Sequence, residues 1–228
     1  MSFVSQLSLK LFKPRLARAL KSVVYIEVEL GNGEKAGGTG FVIAEDVICT
    51  CKHVLKGATR IIVQTADGRK FDVTNNEINF GIVADMALID VPTLRLAPLV
   101  IDPKLPDVNE DRRVYVPSMT RKGLRFSKGR LSFRDTDELI FISPNLASIT
   151  QQKELALVIK PSKKGDSGSP VLTRDGKVRL MVNAYSESAV VKFADVPNAK
   201  RALFMSYVTF CARMDSILRD AEVLGLAE

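Results

Sequence analysis

Two series of short strand patterns, separated by a polar segment, limit the fold of this chain more than any other feature. In each series, apolar and β-branched residues run for a few positions and then stop at glycine, asparagine or aspartate, as at Gly31-Asn32-Gly33. The strands predicted in the first series span residues 23–30, 41–49, 60–64, 70–73 and 86–91. Short strands joined by such turns are typical of antiparallel barrels.

The second series begins after residues 101–112, a polar segment with Pro103 and Pro106 that is predicted to be a linker. Its strands are predicted at residues 113–117, 124–133, 139–143, 155–159, 169–173, 178–185 and 203–208. Apolar residues at helical spacing then predict a closing helix over residues 210–224. The chain has 228 residues, of which 46% are hydrophobic, and this is enough apolar material for two cores.

We therefore predict an all-β fold of two antiparallel barrels with a helix at each end. The predicted division is a basic segment at 1–21, a first barrel at 22–100, a linker at 101–112, a second barrel at 113–209 and a C-terminal helix at 210–228.

A Gly-Asp-Ser-Gly segment in the second half, residues 165–168, resembles a nucleophile loop. Its glycines permit a tight turn and leave room for a substrate carbonyl group to approach Ser167. The backbone N–H groups of Gly165 and Ser167 are then placed to form an oxyanion hole. Taken alone, a polar segment with glycines is more often only a turn.

A serine hydroxyl needs a neighbouring base, and His53 is the one histidine in the chain. It follows an apolar strand, where a histidine often does no more than end the strand. Asp85 stands directly before the strand at 86–91, and in a triad it would orient the imidazole of His53. Asp90, at the far end of that strand, is the competing acid.

The order His53, Asp85, Ser167 and the flanking motifs resemble those of trypsin-like serine proteases with the chymotrypsin fold. Residues 38–43, GTGFVI, are similar to the family's Gly-x-Gly-Phe strand, and residues 66–71, ADGRKF, resemble a hairpin of HtrA-like proteases. The resemblance covers residues 20–220 and implies a serine endopeptidase that acts on protein or peptide substrates through an acyl-enzyme intermediate. It implies a site between the two barrels and no cofactor.

Two departures from the family pattern bear on activity. Lys52 and Val54 flank the histidine where relatives have a small residue and a cysteine. A protease-like binding module with a disarmed triad is therefore the alternative interpretation. The chain also lacks the Ile-Val-Gly-Gly-like terminus whose ammonium group pairs with the loop aspartate, so Asp166 must find another partner.

The resemblance also indicates which residues line the primary specificity pocket. They are Pro161, Ser162 and Lys163 on one side and Asn183, Ala184 and Tyr185 on the other. Without an acid among them, cleavage after lysine or arginine is not expected, and small or medium uncharged residues are preferred. The alternative is that Lys163 and Lys164 select an acidic residue.

Composition narrows the partners further. One histidine and scattered cysteines argue against a zinc site, and no metal is expected. The net charge of +7 is spread along the chain without a nucleic-acid-binding motif, which argues against nucleic acid as a partner. Cys49 and Cys51 are predicted on opposite strand faces and Cys211 in the closing helix. Without a disulfide framework, an intracellular, cytoplasmic location is expected.

The basic segment at 1–21 carries Lys10, Lys13, Arg15, Arg18 and Lys21 and no acid. Its apolar residues recur at helical spacing, which predicts an amphipathic helix packed on a barrel. A helix that binds an anionic surface and an organelle transit peptide are the alternatives. The pattern is not that of a secretory signal, and no PDZ domain is expected after residue 228.

Overall fold

The strands form two antiparallel sheets, one from each half of the chain. The computed structural model describes residues 14–82, 84–104, 112–132, 139–143, 146–152, 155–159, 162–193 and 203–224. The first sheet comprises β1 (Val23–Leu30), β2 (Lys35–Ala44), β3 (Val47–Thr50), β4 (Ala58–Gln64), β5 (Lys70–Val73), β6 (Ile78–Phe80) and β7 (Ala87–Asp90). Its order is β5-β4-β1-β2-β3-β7-β6. One-turn 3-10 helices lie at Leu20–Ser22, Lys52–Val54 and Asn75–Glu77.

The second sheet closes into a barrel. It comprises β8 (Arg113–Thr120), β9 (Gly123–Ser132), β10 (Leu139–Ser143), β11 (Leu146–Gln152), β12 (Leu155–Ile159), β13 (Pro170–Leu172), β14 (Val178–Phe193) and β15 (Leu203–Arg213). Its order is β11-β10-β14-β13-β8-β9-β12-β15, and β14 also pairs with β15. That last pairing completes a ring of six strands, to which β10 and β11 are added as a hairpin. The predicted all-β fold with two chymotrypsin-type barrels is confirmed.

Two helices stand at the ends of the described chain. They are α1 (Pro14–Ala19) and α2 (Met214–Val223). Leu16 and Leu20 are buried whereas Arg15, Arg18 and Lys21 are exposed, so the predicted amphipathic packing is confirmed for these residues. Lys10 and Lys13 lie outside the described residues. In the part of the chain that the structure describes, neither helix is both long enough and apolar enough to span a membrane.

Three sequence predictions about local structure are wrong. The single strand predicted at 41–49 is divided by a turn at Asp46, whose φ is 58° and whose carboxylate accepts the N–H groups of Thr93 and Arg95, both at 3.0 Å. Aspartate tolerates this backbone region better than most residues. The closing helix begins at Met214, because residues 210–213 continue β15; Cys211 therefore pairs with Val182 of β14 and is not helical.

The third error concerns the faces of Cys49 and Cys51. The Cys49 Sγ lies 3.7 Å from Met181 Sδ, and the Cys51 Sγ donates to the Val182 carbonyl oxygen at 3.2 Å, so both thiols face β14. Side chains of an extended chain alternate between faces with a period of two, so residues two apart such as Cys49 and Cys51 lie on the same face, and the prediction of opposite faces is wrong for this reason.

The described apolar residues form one large core inside each sheet and another between the sheets, beside a small fourth cluster of Val23, Tyr25 and Met119. Inside the first sheet lie Val24, Ile26, Val42, Ile48, Val63 and Ile89, and inside the second lie Val114, Val116, Leu131, Val158, Val171 and Leu180. The core between them contains Phe41, Cys49, Met86, Leu172, Met181, Met214, Ile217 and Ala221. Burial of these side chains fixes the two sheets and α2 against one another, and the candidate site lies at this junction.

Candidate active site

The acid and the base come from neighbouring strands of the first sheet. His53 lies in the 3-10 helix after β3, and Asp85 lies in the loop before β7. Because β3 and β7 pair antiparallel, with Thr50 opposite Ala87, the end of one strand meets the start of the other. Asp85 Oδ2 lies 2.6 Å from His53 Nδ1, and Oδ1 accepts the backbone N–H of His53 at 3.0 Å.

The charge of Asp85 decides which nitrogen of the imidazole carries hydrogen. Burial acts to raise the pKa of Asp85, but the hydrogen bonds and charge of His53 outweigh it, and the pKa lies below its ordinary value. An ionised carboxylate only accepts hydrogen bonds, so Nδ1 must donate. In the neutral ring, Nε2 is then unprotonated and available as a base.

A tight turn presents Ser167 from the second half of the chain. The N–H of Asp166 donates to the Lys163 carbonyl oxygen at 3.0 Å, and Gly165 has a φ of 94°. These features define a type II turn, which requires positive φ at its third residue and so favours glycine there. Gly168, with a φ of 82°, is equally constrained, because a Cβ there would lie 2.0 Å from the Thr39 carbonyl oxygen.

Hydrogen bonds hold Ser167 between the two sheets. Its carbonyl oxygen accepts the N–H of Thr39 in β2 at 2.9 Å, and its Oγ donates to the Asn183 carbonyl oxygen in β14 at 3.2 Å. The neighbouring Val182 carbonyl accepts both the N–H of Gly168, at 2.8 Å, and the Cys51 thiol, two residues before His53. The serine therefore lies at the same junction as the His53–Asp85 pair. Its hydroxyl is bonded to Asn183 and not to His53.

The turn leaves two backbone donors free. Among the described residues, the N–H groups of Gly165 and Ser167 donate to no protein acceptor, whereas the N–H groups of Asp166 and Gly168 are both bonded. Two unpaired N–H groups beside a serine hydroxyl can bind an oxyanion.

Thr39 fixes this turn, although no sequence pattern indicated its role. Residue 39 was only the variable position in Gly-x-Gly-Phe. Its fully buried Oγ1 lies 3.0 Å from the Gly165 carbonyl oxygen and 3.2 Å from the Met119 carbonyl oxygen, and it accepts the Met119 N–H at 3.1 Å. The hydroxyl thus connects β2 to the turn that carries the free N–H groups.

Asp166 is satisfied by Arg125 of β9. The Asp166 side chain is only 1% exposed; its Oδ1 accepts a hydrogen bond from Arg125 Nη2, and its Oδ2 accepts the N–H of Lys163 at 3.0 Å. The sequence predicted that Asp166 needed a partner other than a chain terminus, but nothing in the pattern of β9 identified Arg125.

Comparison with known families identifies the family of this chain. The profile of the trypsin-like peptidase domain matches residues 38–179. The chain belongs to the trypsin-like peptidase family. No curated protein gives a significant match to the sequence.

Solved structures of proteases share the fold of this peptidase. The active form of the Rv3671c protease from M. tuberculosis superposes with a TM-score of 0.70 at 21% identity, covering 94% of this chain and 86% of that one. An HtrA-type protease, AlgW with a tripeptide, gives 0.66 at 15%, covering 92% and 62%. The serine endoprotease from Yersinia pestis gives 0.65 at 17%, covering 92% and 65%. The predicted HtrA-like protease core is confirmed, and this chain spans under two thirds of the last two proteins.

Two of the residues predicted to line the specificity pocket contact a threonine that the sequence did not reveal. Ser162 Oγ lies 2.5 Å from Thr209 Oγ1, and Thr209 pairs with Tyr185 in the sheet. Asn183 is buried and Ala184 is exposed, whereas Pro161 and the side chain of Tyr185 lie outside the described residues. Thr209, fully buried on β15, therefore joins the two predicted sides of the pocket.

One group of side chains in the described residues brings metal-binding atoms together. Ligand atoms of Cys51, His53 and Asp85 all lie within 4.8 Å of one another. Burial, and then the charge of Asp85, raises the pKa of the Cys51 thiol well above its ordinary value, so the sulfur stays protonated. A protonated thiol is a poor metal ligand. His53 and Asp85 are meanwhile engaged with each other, so the group does not fit a metal ion.

Arg125→Met is expected to destabilise the protein and to loosen the turn at residues 163–166. The substitution removes a charged partner from a buried carboxylate, which costs about 1.5–3 kcal/mol in the free energy of unfolding. Urea unfolding measures this loss, and the rate of turnover should fall by no more than the roughly hundred- to thousand-fold effect of losing one oxyanion donor.

Arg121→Met is the matched control for Arg125. Arg121 lies on the turn between β8 and β9, is 55% exposed and pairs with Glu27, so its loss should cost less than about 1 kcal/mol. Equal destabilisation by the two changes would contradict a special role for Arg125.

Proposed function

We propose that the protein is a serine endopeptidase in which Ser167 is the nucleophile, His53 the general base and Asp85 the orienting acid. The observation that carries this proposal is the 2.6 Å contact between Asp85 Oδ2 and His53 Nδ1, which leaves Nε2 to accept a proton. The free N–H groups of Gly165 and Ser167 support it further, since they form a site for the developing oxyanion.

The proposed reaction has two halves. Ser167 Oγ attacks the scissile carbonyl carbon while its proton passes to His53 Nε2, and the carbonyl oxygen becomes an oxyanion. As the C–N bond breaks, the imidazolium gives that proton to the leaving amine, and the acyl group stays on Ser167. Water then attacks the ester, with His53 again accepting a proton and returning it to Ser167. No step requires a cofactor.

Lys52 and Val54, which differ from the family pattern next to His53, leave the contact between Asp85 and His53 intact. Lys52 is exposed, and its Nζ lies 5.6 Å from the centre of the Phe80 ring. Its charge helps to lower the pKa of Asp85, which favours the ionised carboxylate. Val54 packs against Gly38, where a Cβ would lie 2.7 Å from one of its methyl groups. Neither residue replaces a hydrogen bond of the His53–Asp85 pair.

The bond from Ser167 Oγ to Asn183 favours the second candidate, a protease-like binding module. In proteases without substrate, however, catalytic hydrogen bonds are often long or misaligned and form only in the complex. The two candidates therefore differ in whether Ser167 is activated, and not in the fold.

Labelling with a fluorophosphonate separates the two candidates. The probe forms a covalent bond only with an activated serine, so folded wild type should label to one equivalent at Ser167. Ser167→Ala and urea-unfolded wild type are the controls and should not label. A folded wild type that stays unlabelled would support the binding module.

The proposed substrate is an extended peptide bound where residues 22–100 meet residues 113–209, which we propose as the two domains. We propose that Pro161, Ser162, Lys163, Asn183, Ala184 and Tyr185 bind the residue before the scissile bond. Lys163 and Lys164 are both exposed, which supports a preference for small or medium uncharged residues over acidic ones. Binding of the basic segment at 1–21 to an anionic surface stays a prediction, because most of that segment lies outside the described residues.

Profiling a peptide library with wild type and with the double variant Lys163→Ala/Lys164→Ala tests this preference. Exposed charges contribute at most about 1 kcal/mol, so the preference should change by less than about fivefold. Strong cleavage after glutamate or aspartate that the double variant abolishes would make this an acid-specific protease.

A further inference from the structure

A buried carboxylate of the C-terminal helix contacts the loop that carries Asp85. Asp220, in the last turns of α2, is only 5% exposed. Its Oδ2 accepts the backbone N–H of Ala84 at 2.8 Å, and Ala84 is the residue directly before Asp85. The two residues are 136 positions apart in the sequence, so only the fold brings them together.

The loop is built around this carboxylate. A Cβ on Gly81 would lie 2.7 Å from Asp220 Oδ2, so the carboxylate occupies the space that a side chain would need there. The loop is closed by two backbone hydrogen bonds, from Gly81 N–H to the Met86 carbonyl at 2.9 Å and from Met86 N–H to the Ala84 carbonyl at 2.8 Å. The chain therefore turns tightly about Asp220 immediately before it presents Asp85.

The position of Asp220 is itself fixed by packing. Met214, Ile217 and Ala221 of α2 are each at most 1% exposed and belong to the core between the two sheets. Met86, next to Asp85, lies in the same core. Because this core is closely packed, α2 and the Asp85 loop cannot shift independently, and the Asp220–Ala84 hydrogen bond sets their register.

We propose that Asp220 is a positioning residue that holds the Asp85 carboxylate on the imidazole of His53. Asp220 does not touch the reacting atoms; it acts through the backbone of Ala84. The inference rests on the proposed role of Asp85 in the triad, and it makes the C-terminal helix part of the support of the catalytic acid. A misplacement of about 1 Å in such an array can cost up to about a hundredfold in rate.

The charge of Asp220 and its hydrogen-bond acceptor can be separated by substitution. Asp220→Asn removes the charge and keeps an oxygen that can accept the Ala84 N–H, whereas Asp220→Ala removes both. Glu222→Gln, at an exposed site in the same last turn of α2, is the matched control for loss of an acid from this helix. Positioning requires the acceptor, so the asparagine variant should behave nearly as wild type.

The test uses the fact that His53 is the one histidine of the chain. In protein with 15N-labelled histidine, the Nδ1–H resonance reports the bond to Asp85 without any need for assignment. Asp220→Ala should lose or broaden this resonance and lower kcat by roughly tenfold to a hundredfold, with KM within about twofold of wild type. Asp220→Asn should retain most of the Nδ1–H resonance intensity and most of kcat. Glu222→Gln should match wild type in both measurements. A folded Asp220→Ala variant with the wild-type resonance and kcat would overturn the proposal.

A second measurement needs no variant and covers the case in which Asp220→Ala does not fold. In wild type, the Ala84 amide should exchange with solvent more slowly than an unprotected amide by at least about tenfold, and free exchange would overturn the proposal. Both magnetic resonance readouts are independent of turnover. If the fluorophosphonate fails to label wild type, the protease proposal fails, while the resonance still shows whether Asp220 holds Asp85 on His53.

Discussion

Ser167→Ala and His53→Ala are each expected to lower turnover by about a million-fold, and the double variant is expected to be no slower than either single one. The reason is that nucleophile and base act as one unit: without the base the hydroxyl is not activated, and without the hydroxyl the base has no proton to accept. Single-turnover kinetics with a peptide ester or amide substrate measures the three rates. The residual rate comes from the oxyanion site and from binding alone.

Ser169→Ala is the matched control for removal of a serine hydroxyl from the same loop. Ser169 is buried and its Oγ donates to Ser118 Oγ at 2.8 Å, so the hydroxyl is engaged with β8. Its loss should lower the free energy of unfolding by about 1 kcal/mol and leave turnover within a few-fold. Effects of Ser167→Ala and His53→Ala that multiplied in the double variant would show that the two residues act independently, contrary to the triad.

The strands could be predicted from sequence because each one carries its own pattern. β1, β5, β10 and β12 begin and end at the predicted residues, since alternation and the flanking turn residues are local signals. The turn at Asp46 was missed because residues 41–49 form one apolar run. What divides that run is a pair of hydrogen bonds to Thr93 and Arg95, almost fifty positions away. The last residues of β15 were missed for the same reason, since their partners in β12 and β14 are distant in sequence.

For the candidate site, too, the sequence predicts what depends on local patterns and does not predict long-range contacts. Reactive residue types in a known order identified His53, Asp85 and Ser167 from sequence, and the structure brings their segments to one junction. The residues that hold them there, Thr39, Arg125 and Asp220, are an ordinary threonine, arginine and aspartate in ordinary strand and helix patterns. Their roles come from contacts between segments that are far apart in the sequence, and one sequence contains no signal for such contacts.

Asp85→Asn is expected to lower turnover by roughly ten-thousand-fold, the size of effect known for the chymotrypsin-type template, while leaving the fold intact. The carboxylate oxygens accept both the Nδ1–H and the backbone N–H of His53. An asparagine can satisfy the backbone N–H with its carbonyl oxygen, but its amide group then donates toward the ring. The ring must accept at Nδ1 and carry its hydrogen on Nε2, which is the nitrogen that has to take the proton of Ser167.

Asp90→Asn is the control for this tautomer argument, because Asp90, at the end of β7, is the competing acid. It is exposed at the end of β7, opposite Val47 in the sheet, while His53 contacts Asp85. Turnover of Asp90→Asn should therefore stay within a few-fold of wild type. The Nδ1–H resonance of the single histidine should persist in Asp90→Asn and vanish in Asp85→Asn, since only the second change removes the acceptor. If Asp90→Asn proved the more damaging change, the acid of the triad would be Asp90, and the contact between Asp85 and His53 would serve stability alone.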